Sequence, residues 1–304
     1  MDTKRKITIV GMGALGVMYG DMIARSLGWD ALTFLADRDR IDRYKKEGVF
    51  CNGKECTFQM KAEAEEADLL IFAVKGTALK AAMDLAAGAV GEDTVILSLL
   101  NGISSEEILG QRFGNCHIVH CVAQGMDAVK LGNKLTYEHV GELRIGVPDK
   151  GRGYLVQKAA AVLESARIPY VVEEDILHRI WSKWMLNVGV NQVIMVYEGT
   201  YGTIQKPGEA RDVMIAAMEE VMELSRCENA GVGREDMEGY LRLLDTLNPE
   251  GMPSMRQDGL SRRYSEVDMF AGTVIEKAQK HGVEVPVNRM LYRRVKEMEA
   301  AYGR

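Results

Sequence analysis

Over the first 125 residues, short apolar runs alternate with amphipathic stretches, and that alternation predicts an architecture. KITIV, LTFLA, DLLIFAV, TVILSL and HIVHCVA are each the length of a strand, and helical patterns begin near residues 14, 39, 77 and 104 between them. Strands separated by helices imply parallel pairing through crossovers, so the expectation is an α/β, doubly wound sheet. The segment KLTYEHVGELRIGVP, with Gly141 near its middle, reads as a hairpin appended to that sheet. A helix from about residue 152 and the strand PYVVE follow.

Beyond residue 172 the strand signals stop. Helical patterns run through 174–197, 208–230, 235–246, 262–281 and 287–301, separated by Gly199 with Gly202, Gly231 with Gly233, the loop NPEGMPS and the turn from Gly282 to Pro286. We therefore expect two domains, an α/β domain over 1–172 and an all-α domain over 173–304. The 18 methionines are scattered, as core filler would be.

Composition narrows the class. With 47% hydrophobic and 27% charged residues the chain has a globular balance, and a net charge of −6 gives no electrostatic reason to expect nucleic acid. No stretch approaches the roughly 20 apolar residues of a membrane span, since Lys75 breaks the best candidate. Glycines interrupt the apolar start, so it does not read as a secretory signal, and a cytoplasmic protein is expected. Five cysteines without a CxxC pair read as reduced thiols. CHIVHC invites a metal reading, but strand alternation would send Cys116 and His120 to one face and His117 and Cys121 to the other. No metal site is expected.

Gly11, Gly13 and Gly16, spaced by Met12 and by Ala14 and Leu15, form GxGxxG between the first strand and the first helix. In that context backbone N–H groups and the positive helix end can hold a pyrophosphate, as in a Rossmann-type dinucleotide unit. Asp37, 21 residues after Gly16, stands where such a unit reads the ribose. An acid there suits the 2′-hydroxyl of NAD, whereas the neighbouring Arg38 and Arg40 suit a 2′-phosphate. Lys75 and Asn101 close later strands, at the sheet edge where ligands of open α/β sheets bind.

In the helical half, WSKWMLNVGVNQV sets Lys183, Asn187 and Asn191 four residues apart, hence along one stripe of a helix that is apolar on nearly every other side. Buried ammonium and amide groups need partners, supplied either by the fold or by a polar ligand.

Taken together, the GxGxxG unit, Lys75, Asn101-Gly102, the KxxxNxxxN helix, PSMRQD at 253–258 and RRYSEVD at 262–268 resemble the ketopantoate reductase (2-dehydropantoate 2-reductase) family of two-domain oxidoreductases. The resemblance runs from about residue 6 to about 300. It implies Lys183 as the catalytic lysine and Asn101, Asn187, Asn191, Ser254 and Glu266 as substrate-binding groups. Gly11, Met12, Gly13, Ala14, Leu15, Gly16, Asp37, Arg38, Lys75 and Asn101 would then contact the cofactor. It further implies NADPH-dependent reduction of 2-dehydropantoate to pantoate in pantothenate and coenzyme A biosynthesis. One departure stands out: members commonly carry an arginine where this chain has Asp37. Either Arg38 takes the 2′-phosphate from the next position or the preference has moved toward NADH. Two readings stay beside this one: a paralogue acting on another small 2-oxo acid or carbonyl compound, and a non-catalytic dinucleotide sensor. Monomer and homodimer are left even.

The expected chemistry follows from the residue types. Hydride delivery to a 2-oxo acid leaves negative charge on the ketone oxygen, which must be stabilised and protonated. A lysine in an apolar setting is a compact donor whose pKa desolvation lowers toward the working pH.

Overall fold

A computed structural model of the 304-residue chain describes residues 5–302. The chain divides into two compact units: the part up to Asn101 with Ser105–Ile176, and Gly102–Ser104 with everything from Leu177 onward. Among the described residues no helix is long and apolar enough to cross a membrane.

In the first unit β1 (Ile7–Val10), α1 (Ala14–Leu27), β2 (Leu32–Leu35) and α2 (Arg38–Glu47) lead into three short strands, β3 (Phe50–Cys51), β4 (Lys54–Glu55) and β5 (Gln59–Lys61). Then come β6 (Leu69–Phe72), α3 (Leu79–Leu85), β7 (Val95–Ser98), α4 (Ser105–Phe113) and β8 (Ile118–Met126). The unit ends with β9 (Val129–Leu131), β10 (Lys134–Thr136), β11 (Val140–Gly146), α5 (Gly153–Ser165) and β12 (Tyr170–Val172). Eight strands form one sheet in the order β12-β11-β8-β7-β6-β1-β2-β5, parallel at every pairing except β8 with β11. Every residue of β1, β6 and β7 is buried, which is why these strands read as unbroken apolar runs.

The expected hairpin is corrected. Lys134–Thr136 and Val140–Gly146 belong to different sheets. β11 instead lies antiparallel to β8, and Gly141 sits within it, opposite Gly125 between the pairs Val140↔Met126 and Glu142↔Gln124. Both glycines have positive φ, 65° and 77°, and a Cβ at Gly141 would lie 2.2 Å from the Gln124 carbonyl oxygen. Gly141 marks a close backbone approach within a strand rather than a turn.

A second sheet, β4-β3-β10-β9, was not part of the expectation. Its signal is present in the sequence: Asn52-Gly53 joins Cys51 to Lys54 with φ of 47° and 78°, the left-handed pair that a two-residue hairpin loop needs. CHIVHC is also modified. Asn115–His117 form a 3-10 turn and the strand starts at Ile118, so alternation governs only its second half.

His120, on β8, has an Nδ1 buried without a hydrogen-bond partner among the described residues. Burial, with Arg152 nearby, holds its pKa down to about 4 from the ordinary 6.5. The folded chain thus binds fewer protons than the unfolded chain between these values. This contribution to stability is present above pH 6.5 and is lost as the pH falls toward 4. Urea midpoints at pH 7 and pH 4.5 should fall further for the wild type than for His120→Leu; equal falls would refute the assignment.

In the second unit, α6 (Ile176–Val196), α7 (Tyr201–Gln205), α8 (Glu209–Cys227), α9 (Arg234–Leu244), α10 (Ser254–Leu260), α11 (Thr273–His281) and α12 (Pro286–Glu299) surround a core of Trp184, Met185, Val188, Met214, Met218, Phe270 and Leu291. The fully buried methionines fit the role of core filler.

The helix expected over 262–281 is corrected as well. α10 ends at Leu260, Arg262 takes a left-handed φ of 48°, and Arg263 N–H returns to the Asp258 carbonyl, a hydrogen-bonded helix stop. Residues 261–267 are not helical; a π-helical turn, Asp268–Gly272, precedes α11. Conversely, Ser254, expected in a loop, opens α10.

Candidate functional site

The glycine turn joins β1 to α1. Gly11 has φ 109°, and a Cβ there would lie 2.4 Å from the Ala73 carbonyl oxygen; a Cβ at Gly16 would lie 2.0 Å from that of Gly11. These two glycines permit the turn and the close packing of helix on strand. Gly13 differs: it is extended, φ −72°, and nothing lies closer to its Cβ position than the Ala73 oxygen at 3.6 Å. It caps α1 without a side-chain hydrogen bond, and the first turn carries no acid. The leading N–H groups of α1 therefore suit an anion, and the arrangement fits a dinucleotide pyrophosphate. Met12 is buried beneath the turn, while Ala14 and Leu15 are half-buried.

Around this turn the parallel strands present their carboxyl ends together. β2, β1, β6 and β7 are consecutive in the sheet, so Asp37, the glycines, Lys75 and Asn101 follow neighbouring strands at one edge. Lys75 is exposed in extended backbone just before a 3-10 turn. Asn101 is half-buried, and Gly102 after it has φ 99°.

Asp37 has a local task. It is the N-cap of α2, accepting from Arg40 N–H at 2.8 Å, with the Arg40 guanidinium 3.3 Å from its other oxygen. Arg38, the first residue of the helix, is exposed. Asp-x-x before a polar helix is a readable capping signal, which the ribose reading passed over.

In the second unit α6 carries the polar stripe. From Ile180 to Met195 every residue is buried except Lys183, Leu186 and Asn187, which are half-buried. Between Ile180 and Met195 the helix is therefore sealed all round apart from the strip bearing the lysine, Leu186 and the first amide. Asn191 lies deeper, 6% exposed, and is held by the protein itself. Its Oδ1 accepts from Ser254 Oγ at 3.1 Å and from Met255 N–H at 3.2 Å, and its Nδ2 reaches Asn187 Oδ1 at 3.5 Å. Asn187, Asn191 and Ser254 thus form one chain of contacts between α6 and the start of α10.

Glu266, half-buried, lies in the non-helical stretch before the π-helical turn. Two bonds tie that turn to α6: Trp184 Nε1 donates to the Met269 carbonyl at 3.0 Å, and Ala271 N–H donates to Gln192 Oε1 at 3.0 Å. Gln192 and Asn288, both fully buried, continue this link to α12 through a 3.2 Å bond. A buried amide pair 96 positions apart has no local sequence signature, and neither residue was anticipated.

The family profile described as ketopantoate reductase PanE/ApbA matches residues 7–150, and that of its C-terminal part matches 175–299. A 2-dehydropantoate 2-reductase of Streptococcus pyogenes is 24% identical over 301 residues, covering 97% of this chain and 98% of the relative. A ketopantoate reductase structure from Ralstonia eutropha superposes with a TM-score of 0.85 at 23% identity, covering 98% of this chain and all of the other. D-mandelate dehydrogenase, in a ternary structure with NADH and anilino(oxo)acetate, gives 0.88 at 22% identity with the same coverage. With both profiles in chain order across two units of the matching architecture, the chain belongs to the ketopantoate reductase family of oxidoreductases.

Proposed function

We propose that the protein reduces 2-dehydropantoate to pantoate with NADPH, Lys183 acting as the general acid. The observation that carries this reading is the half-buried strip on the otherwise sealed stretch of α6 from Ile180 to Met195, where an ammonium and an amide share the one face left open. A bound nicotinamide would supply the hydride. Lys183 donates a proton to the ketone oxygen as charge develops there. Asn187 orients the substrate: its oxygen is engaged by Asn191, and its N–H groups make no hydrogen bond among the described residues. Ser254 and Asn101 hold polar substituents, and Glu266 accepts from the nascent hydroxyl. On the cofactor side, the N–H groups after Gly13 would hold the pyrophosphate and Lys75 a ribose or phosphate oxygen. Asp37 is occupied as the cap of α2, so the 2′-phosphate of NADPH is assigned to the exposed Arg38 beside it.

The test is turnover of 2-dehydropantoate, 2-oxoisovalerate and phenylglyoxylate, each with NADPH and NADH. The reading expects the highest kcat/KM for 2-dehydropantoate with NADPH. A higher value for either other acid would reassign the substrate, preference for NADH would reassign the cofactor, and nucleotide binding without any turnover would replace the enzyme with a sensor.

The two amides of α6 should separate. Asn191→Ala leaves the buried Met255 N–H without its acceptor and should cost about 1–3 kcal/mol of stability. Asn187→Ala should leave stability within about 0.5 kcal/mol while raising KM for the 2-oxo acid. Urea melts beside steady-state kinetics check both; the reverse pattern would exchange the roles.

A further inference from the structure

Glu299 is the last residue of α12, yet only 3% of it is exposed. Removing a carboxylate from water is costly unless donors replace its hydration. Here one residue supplies them: Ser265 N–H and Ser265 Oγ donate to Glu299 Oε1 at 2.7 and 2.6 Å. Lys296 Nζ stands 3.9 Å from Oε2. An apolar side chain would fill the same volume without the desolvation cost, so the charge needs a reason other than packing.

What the charge holds is the backbone on either side of Glu266. While donating to Glu299, the Ser265 hydroxyl accepts from Val267 N–H at 3.4 Å. The Glu266 carbonyl accepts from Met269 N–H at 2.9 Å, and the Val267 carbonyl from Gly272 N–H at 3.0 Å. Two residues past Glu266, Asp268 takes the Tyr292 hydroxyl and the Lys296 ammonium, each at 2.8 Å and both from α12. One helix thus grips both flanks of Glu266, in a stretch with no regular ladder of its own to fix it. The Met269 carbonyl then bonds Trp184, the residue after Lys183.

We infer that Glu299 is a positioning residue for the proposed reductase: by holding Ser265 it fixes where the Glu266 carboxylate stands, and it acts on the substrate only through Glu266. The inference rests on the function proposed above. It is tested by a double-mutant cycle read as the Kd for pantoate in the presence of NADP, a binding measurement that needs no turnover. Glu299→Gln and Ser265→Ala should each weaken pantoate by about tenfold and leave the Kd for NADP within about twofold. In a Glu266→Gln background the same substitutions should add less than about twofold, because the group they position is already altered. Ser265→Ala carries the cycle alone if Glu299→Gln does not fold. Amide exchange at Val267 should quicken in either variant. A tenfold loss persisting in the Glu266→Gln background, or wild-type affinity in the single variants, would overturn the inference and leave the proposed function standing. A wild-type protein that neither binds pantoate nor reduces 2-dehydropantoate overturns both.

Discussion

Replacing Lys183 with alanine should lower kcat for 2-dehydropantoate by about 100-fold or more, because the proposed proton donor to the ketone oxygen is lost. The loss should appear equally in kcat and kcat/KM, the mark of an interaction made only in the transition state. The Kd for NADPH should hold within about twofold, since the proposed pyrophosphate contacts belong to the turn between β1 and α1. Stability should also hold, because the lysine is half-buried on the one open strip of α6 and fills no core position. Stopped-flow hydride transfer, equilibrium NADPH titration and a urea melt decide the matter together. Turnover near the wild-type value would remove Lys183 from the chemistry, and a collapsed melt would return it to the fold.

The second large effect separates two glycines of the same motif. Gly16→Ala places a methyl 2.0 Å from the Gly11 carbonyl oxygen, and neither backbone segment can yield without opening the turn. Such overpacking costs about 1–3 kcal/mol or more, so this variant should be poorly folded even without cofactor. Gly13→Ala should behave otherwise. Its φ of −72° suits any residue and the nearest atom is 3.6 Å away, so stability should stay within about 0.5 kcal/mol of wild type. The methyl would nevertheless occupy the backbone surface proposed to meet the pyrophosphate, weakening NADPH by about tenfold or more. Melts of the two cofactor-free variants with NADPH titrations of the folded one provide the check. A stable Gly16→Ala, or a Gly13→Ala that binds as wild type, would break the division of labour.

The central sheet was legible because β1, β6 and β7 are buried on both faces, and burial writes itself as consecutive apolar residues. The polar stripe of α6 was legible for the complementary reason: three groups four residues apart interrupt an otherwise apolar helix. Where the reading failed, long-range partners decided the local structure. Val140–Gly146 pairs with β8 and not with β10, in a register that brings Gly125 and Gly141 together across the strands. Residues 262–267 have a helical composition, yet Ser265 is held by Glu299, 34 positions away, and the segment does not coil. Asp37 illustrates a third kind of miss, since two local signals, strand end and helix cap, fall on one residue and only the first was read.

That double placement of Asp37 constrains how the cofactor preference of this chain can change. A side chain at this position follows β2, where the ribose is proposed to lie, and also closes the first turn of α2 through Arg40 N–H. Installing the arginine common in the family would remove the cap and cost about 1 kcal/mol of stability before any gain in nucleotide binding. Position 38, already in the helix and free of the capping task, is the cheaper place for selection or an engineer to act. A substitution that changes the cofactor preference of this chain at the lowest cost in stability should therefore fall on position 38 and keep the Asp37 cap.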